Sequence, residues 1–331
     1  MSSMSGYVTY IEYQYASKKG VTEKGDLIAS PFRLGNVDSN FSSAKVVETA
    51  TGTSFTPAWT PVIPESVEYE QDGAWIKATD NGDGTFTVGD SARVRYEYNN
   101  VVVPQNDIPM IKAEMKSISL VAKARRIAVY YSQIAAYQAK TDYGVDLGDQ
   151  LAEKAVAELS YEIDTEITNL LVENAGAPVL TFSKTLPVGV SKFEHYDGFV
   201  EILEIGKQKI YDATKKFAPN YMICASDVLP VLSICKAWKA APTGTINGPY
   251  LAGEINGLKV FVTPNILPGR FVLGVNGNDM MSSAAVYAPY MAIVPTQLLG
   301  YADGGMSQGF STLYDLKMLN PALLVAGEIV A

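Results

Sequence analysis

One histidine and two cysteines are all that 331 residues offer to metal or thiol chemistry. A lone His195 cannot build a multi-histidine zinc site. As an acid or base it would need a nucleophile and an orienting carboxylate. Its neighbours in "KFEHYDG", Glu194 and Asp197, do not supply that set, and a turn residue ahead of a helix is the simpler role. Cys224 and Cys235 have no second pair, so neither a structural zinc motif nor a disulfide framework fits. Two small buried hydrophobes in a reducing compartment are expected. There is no apolar run of about 18 residues, so no membrane span is expected. The opening "MSSMSGYVTYIEYQY" lacks the basic and apolar regions of a signal peptide, which points to synthesis in a cytoplasm.

Basic charge is also short. Lys and Arg number 26 against 35 Asp and Glu, net −9. A tight nucleic-acid binder carries a basic face that replaces condensed counterions, so that class is disfavoured. A wall that encloses nucleic acid without gripping it remains compatible. Phosphate-loop, dinucleotide, nucleophile-elbow and HExxH motifs are missing. "DNGDGT", Asp80 to Thr85, superficially suits a calcium loop. An EF-hand starting at Asp80 needs Gly sixth and Glu twelfth, where Thr85 and Ser91 stand, so a turn is the better reading. No catalytic residue, cofactor or metal is therefore expected, and the chain is read as a non-enzyme.

What is present is a globular composition, 47% hydrophobic and 18% charged, long enough for two or three domains. Residues 1–44 are polar and irregular, and read as an extended arm that must lean on something else for order. Residues 45–103 are rich in Thr, Val, Tyr and Trp, broken by Pro and Gly, and read as a small β module. Within it, "AWIKATDNGDGTFTV" reads as a hairpin closed by "DNGDG". Residues 146–174 carry apolar residues in steps of three or four from Leu147 to Leu170, with the stop signal "NAGAP" after them. That predicts one helix far longer than the usual 11–12 residues or so. Helix, strand and helix follow over 197–240, with Ser226 as N-cap and Pro230 in the first turn. A Gly-rich loop over 241–257 and a series of strands complete an α+β chain.

The stretch "IPMIKAEMKSISLVAKARRIAV", Ile108 to Val129, alternates apolar and charged residues, then changes phase after Lys116. No turn signal interrupts it. Extended, it would span roughly 70 Å at about 3.3 Å per residue, whereas ordinary strands have about 3–10 residues.

This order of elements resembles the major capsid proteins of tailed bacteriophages, with the Hong Kong 97-type fold. The residues that carry the likeness are "NNVVVPQNDIPMIKAEMKSISLVAKARRIAVYYS" followed by "AEKAVAELSYEIDTEITNLLVEN". They look like the strand-to-spine-helix passage of T-even-like myovirus capsid proteins. "YMICASDVLPVLSICKAW", "INGLKVFVTPNI" and "SSAAVYAPYMAI" look like the strands and helix of the axial domain. The likeness covers about residues 100–331. It implies an N-terminal arm over 1–30 and an extended loop over 31–110 carrying the inserted β module. It further implies a peripheral domain over 111–195 with the spine helix 146–174, and an axial domain over 196–295. Strands 296–331 would return to the peripheral domain.

The resemblance implies a shell subunit of hexamers and pentamers, assembled in the host bacterial cytoplasm into an icosahedral or prolate virion around double-stranded DNA. Scaffolding, portal and cement proteins would be further partners, with no membrane and no specific DNA contact. The charged scaffolding segment of many relatives is missing, so scaffolding would be a separate protein or the chain a processed product. No cross-linking pair is identified. On this reading the ribbon's uncovered face is covered by a neighbouring copy in a rotationally closed ring. Lys112, Glu114, Lys116, Arg125 and Arg126 on the ribbon, the stripe Glu158, Glu162 and Glu166 on the helix, and Trp59 and Trp75 of the module are the expected inter-subunit contacts. Each exposed ion pair would contribute about 0–1 kcal/mol. A cellular encapsulin-like compartment shell, a β-rich surface adhesin and a hydrolase are the alternatives.

Overall fold

The computed structural model describes residues 3–90, 92–101, 108–242, 244 and 248–330. Residues 102–107, in the quoted passage that leads into the ribbon, and part of the 241–257 loop lie outside them. The chain forms two compact units, Thr9–Lys116 and Met1–Val8 with Ser117–Ala331.

The Thr9–Lys116 unit is built from strands. In chain order they are β1 (Ser5–Tyr15), β2 (Leu27–Ala29), β3 (Lys45–Thr49), β4 (Ser54–Phe55) and β5 (Glu68–Gln71). Then come β6 (Ala74–Lys77), β7 (Thr79–Asp80), β8 (Phe86–Thr87), β9 (Arg93–Glu97) and β10 (Ile111–Val121). β1 and β10 continue into the other unit. The strand orders are β10-β1-β2, β3-β9-β5-β6 and β4-β8-β7. β9 shows how sequence sets the core. In "RVRYE", Val94 and Tyr96 are buried while Arg93 and Arg95 face out, the period of two that a one-sided sheet requires. Val46, Phe55, Val67 and Val88 complete that core. On the outer face Arg95 Nε donates to Glu68 across the sheet at 2.7 Å.

Two expectations are corrected here. The single hairpin over 74–88 is two pairings: β6 pairs with β5, and β7 with β8. Asp72 and Gly73, at φ 52° and 82°, make the two-residue turn that suits strand twist, and this claims β6 for β5. The arm over 1–44 is not irregular throughout. β1 runs for 11 residues between β10 and β2, and the chain's own β structure gives it order.

The second unit holds β11 (Lys123–Ser132), α1 (Gln133–Tyr143), α2 (Leu147–Asn174), β12 (Leu180–Ser183), α3 (Lys192–Asp197), α4 (Phe199–Thr214) and β13 (Tyr221–Ala225). After these come α5 (Leu229–Leu232), β14 (Trp238–Ala240), β15 (Tyr250–Ile255), β16 (Leu258–Thr263) and β17 (Arg270–Gly274). The last are β18 (Ala285–Pro295), β19 (Leu299–Gly300), β20 (Gly305–Met318) and β21 (Leu324–Val330).

The long helix is α2, 28 residues and so about 42 Å. Asp146 caps it by accepting from the Gly148 and Asp149 amides. Ala155 and Leu159 pack with Phe310 of β20 and with Ile127 and Val129 of β11. A mixed sheet of order β12-β21-β17-β13-β16-β15-β14 forms the second layer. α4 lies on it through Phe199, Leu203, Gly206 and Ile210, the helical stripe visible in the sequence.

The ribbon is not one strand. β10 belongs to the β1 sheet and β11 pairs with β20, with buried Ala122 between them. From Glu114 to Leu120 the even-numbered residues of β10 face inward, whereas Arg125, Ile127, Val129 and Tyr131 face inward along β11. The change of face therefore falls at Ala122, not after Lys116. The sequence misplaces it because Ile111 and Met115, though apolar, are exposed. α5 is shorter than expected and starts after Val228 rather than Ser226. Single i+3 turns follow it, and Trp238 is drawn into pairing with β15. The C-terminal strands divide. β20 pairs with β11 and β18, while β21 enters the seven-stranded sheet between β12 and β17. Residue 295 is thus no packing boundary, because β18 and β20 share a sheet. α1 is an element the periodicity does not signal, and none of its residues is buried.

Candidate functional site

Among the described residues no group of three His, Cys, Asp or Glu side chains could hold a metal. His195 lies within α3, stacked on Phe182 with ring centroids 5.1 Å apart, and its Nε2 is 2.7 Å from the Ser183 carbonyl oxygen. Both cysteines are free and buried. Burial pushes the Cys224 thiol up to about 12 and the Cys235 thiol up to about 11, so neither is a ready nucleophile. Asp80 and Asp83 accept from the Gly82 and Thr85 amides in a tight turn, the role expected of them. No helix among the described residues is long and apolar enough to cross a membrane.

The surfaces are more informative. Arg125, on the inward face of β11, reaches Glu166 of α2 at 2.6 Å. Its guanidinium also lies over the Tyr314 ring, 5.6 Å from the centroid, and the Tyr314 hydroxyl donates to the other Glu166 oxygen. Bonding to Tyr314 and then to Glu166 holds Arg125 more firmly charged than usual. Burial and the neighbouring Glu166 push the Tyr314 hydroxyl up to about 12. Two residues expected at subunit contacts thus pair with each other inside the chain, fixing the long helix to its sheet.

Arg126, one position on, points the other way. It is exposed and makes no ion pair among the described residues. Glu158 and Glu162 line an open groove of about 490 Å³ along α2 with Tyr161, Thr165, Asn169 and Glu173. Lys116 Nζ is 2.7 Å from Glu12 Oε2, a cross-strand pair between β10 and β1, and hydrogen bonding to Glu12 raises its pKa. Lys112 sits 3.8 Å from Glu114 on the same strand. Trp75 is capped by the Arg95 guanidinium at 4.3 Å, and Trp59 packs on Tyr98 with its amide bonded to the Tyr96 hydroxyl.

The residues named from the sequence therefore form no single cluster. Alternation missed the opposite side of β10, where Ile111 is 61% and Met115 73% exposed, beside exposed Ile11 and Tyr13 of β1. Together they leave a row of apolar side chains in water on one sheet face. The only signal for them was the apolar half of the same alternation.

The chain is 24% identical over 224 residues to the major capsid protein of Vibrio phage KVP40, covering 60% of this chain and 43% of that protein. The major capsid protein of Enterobacteria phage T4 matches with the same identity and coverage. The matched stretch thus spans less than half the length of these relatives. A solved structure from Mycobacterium phage Cain aligns with 100% of this chain and 86% of its own, at 11% identity and a TM-score of 0.48. The family of the major capsid protein Gp23 matches residues 1–328, and with almost all of its length matched, the chain belongs to that family.

Proposed function

We propose that the protein is the repeating subunit of a tailed-phage head, with the Hong Kong 97-type arrangement, self-assembling into hexamers and pentamers that close around double-stranded DNA. The observation that carries this reading is the family match over residues 1–328. In this assignment α2 is the spine helix, the seven-stranded sheet with α4 forms the axial domain, and the Thr9–Lys116 unit is the extended loop with its arm. The exposed apolar side of β10 and β1 supports it, because a solvated row of Ile11, Tyr13, Ile111 and Met115 gains from burial against a neighbouring copy. Exposed Arg126 and the acidic groove of Glu158 and Glu162 supply charges of opposite sign for such contacts. The net charge of −9 suits a wall that does not hold its DNA. The role is structural, without turnover. Assembly takes place in the host cytoplasm, with scaffolding, portal and cement proteins as further partners, and the product is the virion.

Negative-stain microscopy of the purified chain tests the reading. Closed particles, tubes or rings are the expected outcome. A stable monomer at high concentration, with the fold intact, would overturn it.

A further inference from the structure

Lys19 is the one charged residue among those described that is buried, only 2% exposed. Its ammonium has three donors, and three backbone carbonyls take them: Asn40 at 3.0 Å, Phe41 at 2.9 Å, and Ser43. Two aromatic rings, Trp59 and Tyr98, lie 5.7 and 5.3 Å from the same nitrogen. Among the described residues no carboxylate bonds to it. Asp38 acts on it through space, and its oxygens accept from the Thr22 hydroxyl and the Asn40 amide. An ammonium taken out of water survives only where dipoles and ring faces replace its hydration, and this site is built to do that.

The surroundings show what is joined. Lys19 and Thr22 pair through both backbone bonds at 3.1 Å, making a small loop. A Cβ on Gly20, at φ 60°, would collide with the Val47 carbonyl oxygen of β3, so this loop lies directly on the module. Tyr15 packs on Phe41 with ring centroids 4.2 Å apart and planes tilted by 54°, and its hydroxyl accepts from the Asp38 amide at 2.9 Å. The module's core of Val46, Phe55, Val67, Val94 and Tyr96 is a separate cluster that includes neither Tyr15 nor Phe41.

We propose that Lys19 is a double clasp: its three hydrogen bonds tie the 19–22 loop to the 40–43 turn within the arm segment 15–43, and its contacts with the rings of Trp59 and Tyr98 hold that segment to the β module, so that the two move as one body. Without the ammonium, the Asn40, Phe41 and Ser43 carbonyls lose their donor and the Trp59 and Tyr98 rings lose their cation, whereas the module keeps its own core. On the shell reading above, on which this inference rests for its purpose, the clasp makes arm and loop reach a neighbouring copy together.

Amide hydrogen exchange on the full chain tests the clasp directly. In Lys19→Met, which keeps an apolar stem and removes the charge, the Thr22, Gly25 and Asp38 amides are expected to exchange at least about tenfold faster, with β3 and β9 still protected. Gly20→Ala is expected to give the same local pattern from the other side of the contact. Unchanged exchange over 15–43 in both variants overturns the clasp. Loss of protection in β3 and β9 as well overturns it too, making Lys19 an ordinary core residue. Particle yield is a separate readout. A wild-type chain that forms no particles sinks the shell reading and leaves the clasp to the exchange data. Full yield from a Lys19→Met chain with a loosened arm removes the assembly role.

Discussion

Arg125 of β11 and Glu166 of α2 meet at 2.6 Å, and that contact makes two neighbouring arginines into different tools. Arg125→Glu would set two carboxylates side by side beneath Tyr314, so its effect falls on the fold. Both partners are more than a third exposed, so losing the pair through Arg125→Ala is expected to lower unfolding free energy by about 1 kcal/mol or less. Denaturant unfolding of Arg125→Ala and Arg125→Glu checks this, with the Glu variant the less stable of the two.

Arg126→Glu probes assembly cleanly. The side chain is exposed and has no ion-pair partner among the described residues. Stability is expected to change by less than about 0.5 kcal/mol. Particle yield by sedimentation should fall sharply, and a normal yield would count against a contact role for this arginine.

The two thiols predict a pH response. Burial raises both above the ordinary value of 9.0, to about 12 and about 11. As pH rises past 9 the unfolded chain ionises first and binds fewer protons, so stability is complete below pH 9 and falls toward 11–12. The denaturant midpoint should drop over that window, and less steeply in the double variant Cys224→Ala, Cys235→Ala. At pH 8 an alkylating reagent should label neither cysteine until denaturant is added.

Gly206→Ala sets helix propensity against packing. Alanine would favour α4 by about 1 kcal/mol. Its Cβ would overlap Leu273 Cδ1 and come within 2.8 Å of Leu180 Cδ1, both in the closed core. Overpacking costs about 1–3 kcal/mol, so a net loss is expected, visible as a lower midpoint with unchanged slope.

Local chemistry made much of this protein legible before any coordinates. The α2 period, the stop signal after it, the β module and the buried cysteines follow from repeat length and residue type. The α+β class and the capsid-like order of elements were also readable from the chain. The ribbon was not. Ile111 and Met115 look like core residues by composition and lie in water, so alternation could not say which side was covered. The splitting of the 74–88 hairpin turned on Asp72 and Gly73 competing for the same strand. Lys19, in an undistinguished "ASKKG", gave no sign of itself, because its partners are carbonyls at positions 40 to 43.

The sequence by itself determined the long helix α2, the α4 stripe and the alternating strands of the β module, since a period of 3.6 or 2 is a property of neighbouring residues. Only the tertiary structure decided which faces stay wet, which arginine is spent on the fold, and where a cation could leave water. Those outcomes depend on groups far apart in the chain arriving within a few ångströms of one another, and no local pattern encodes that meeting.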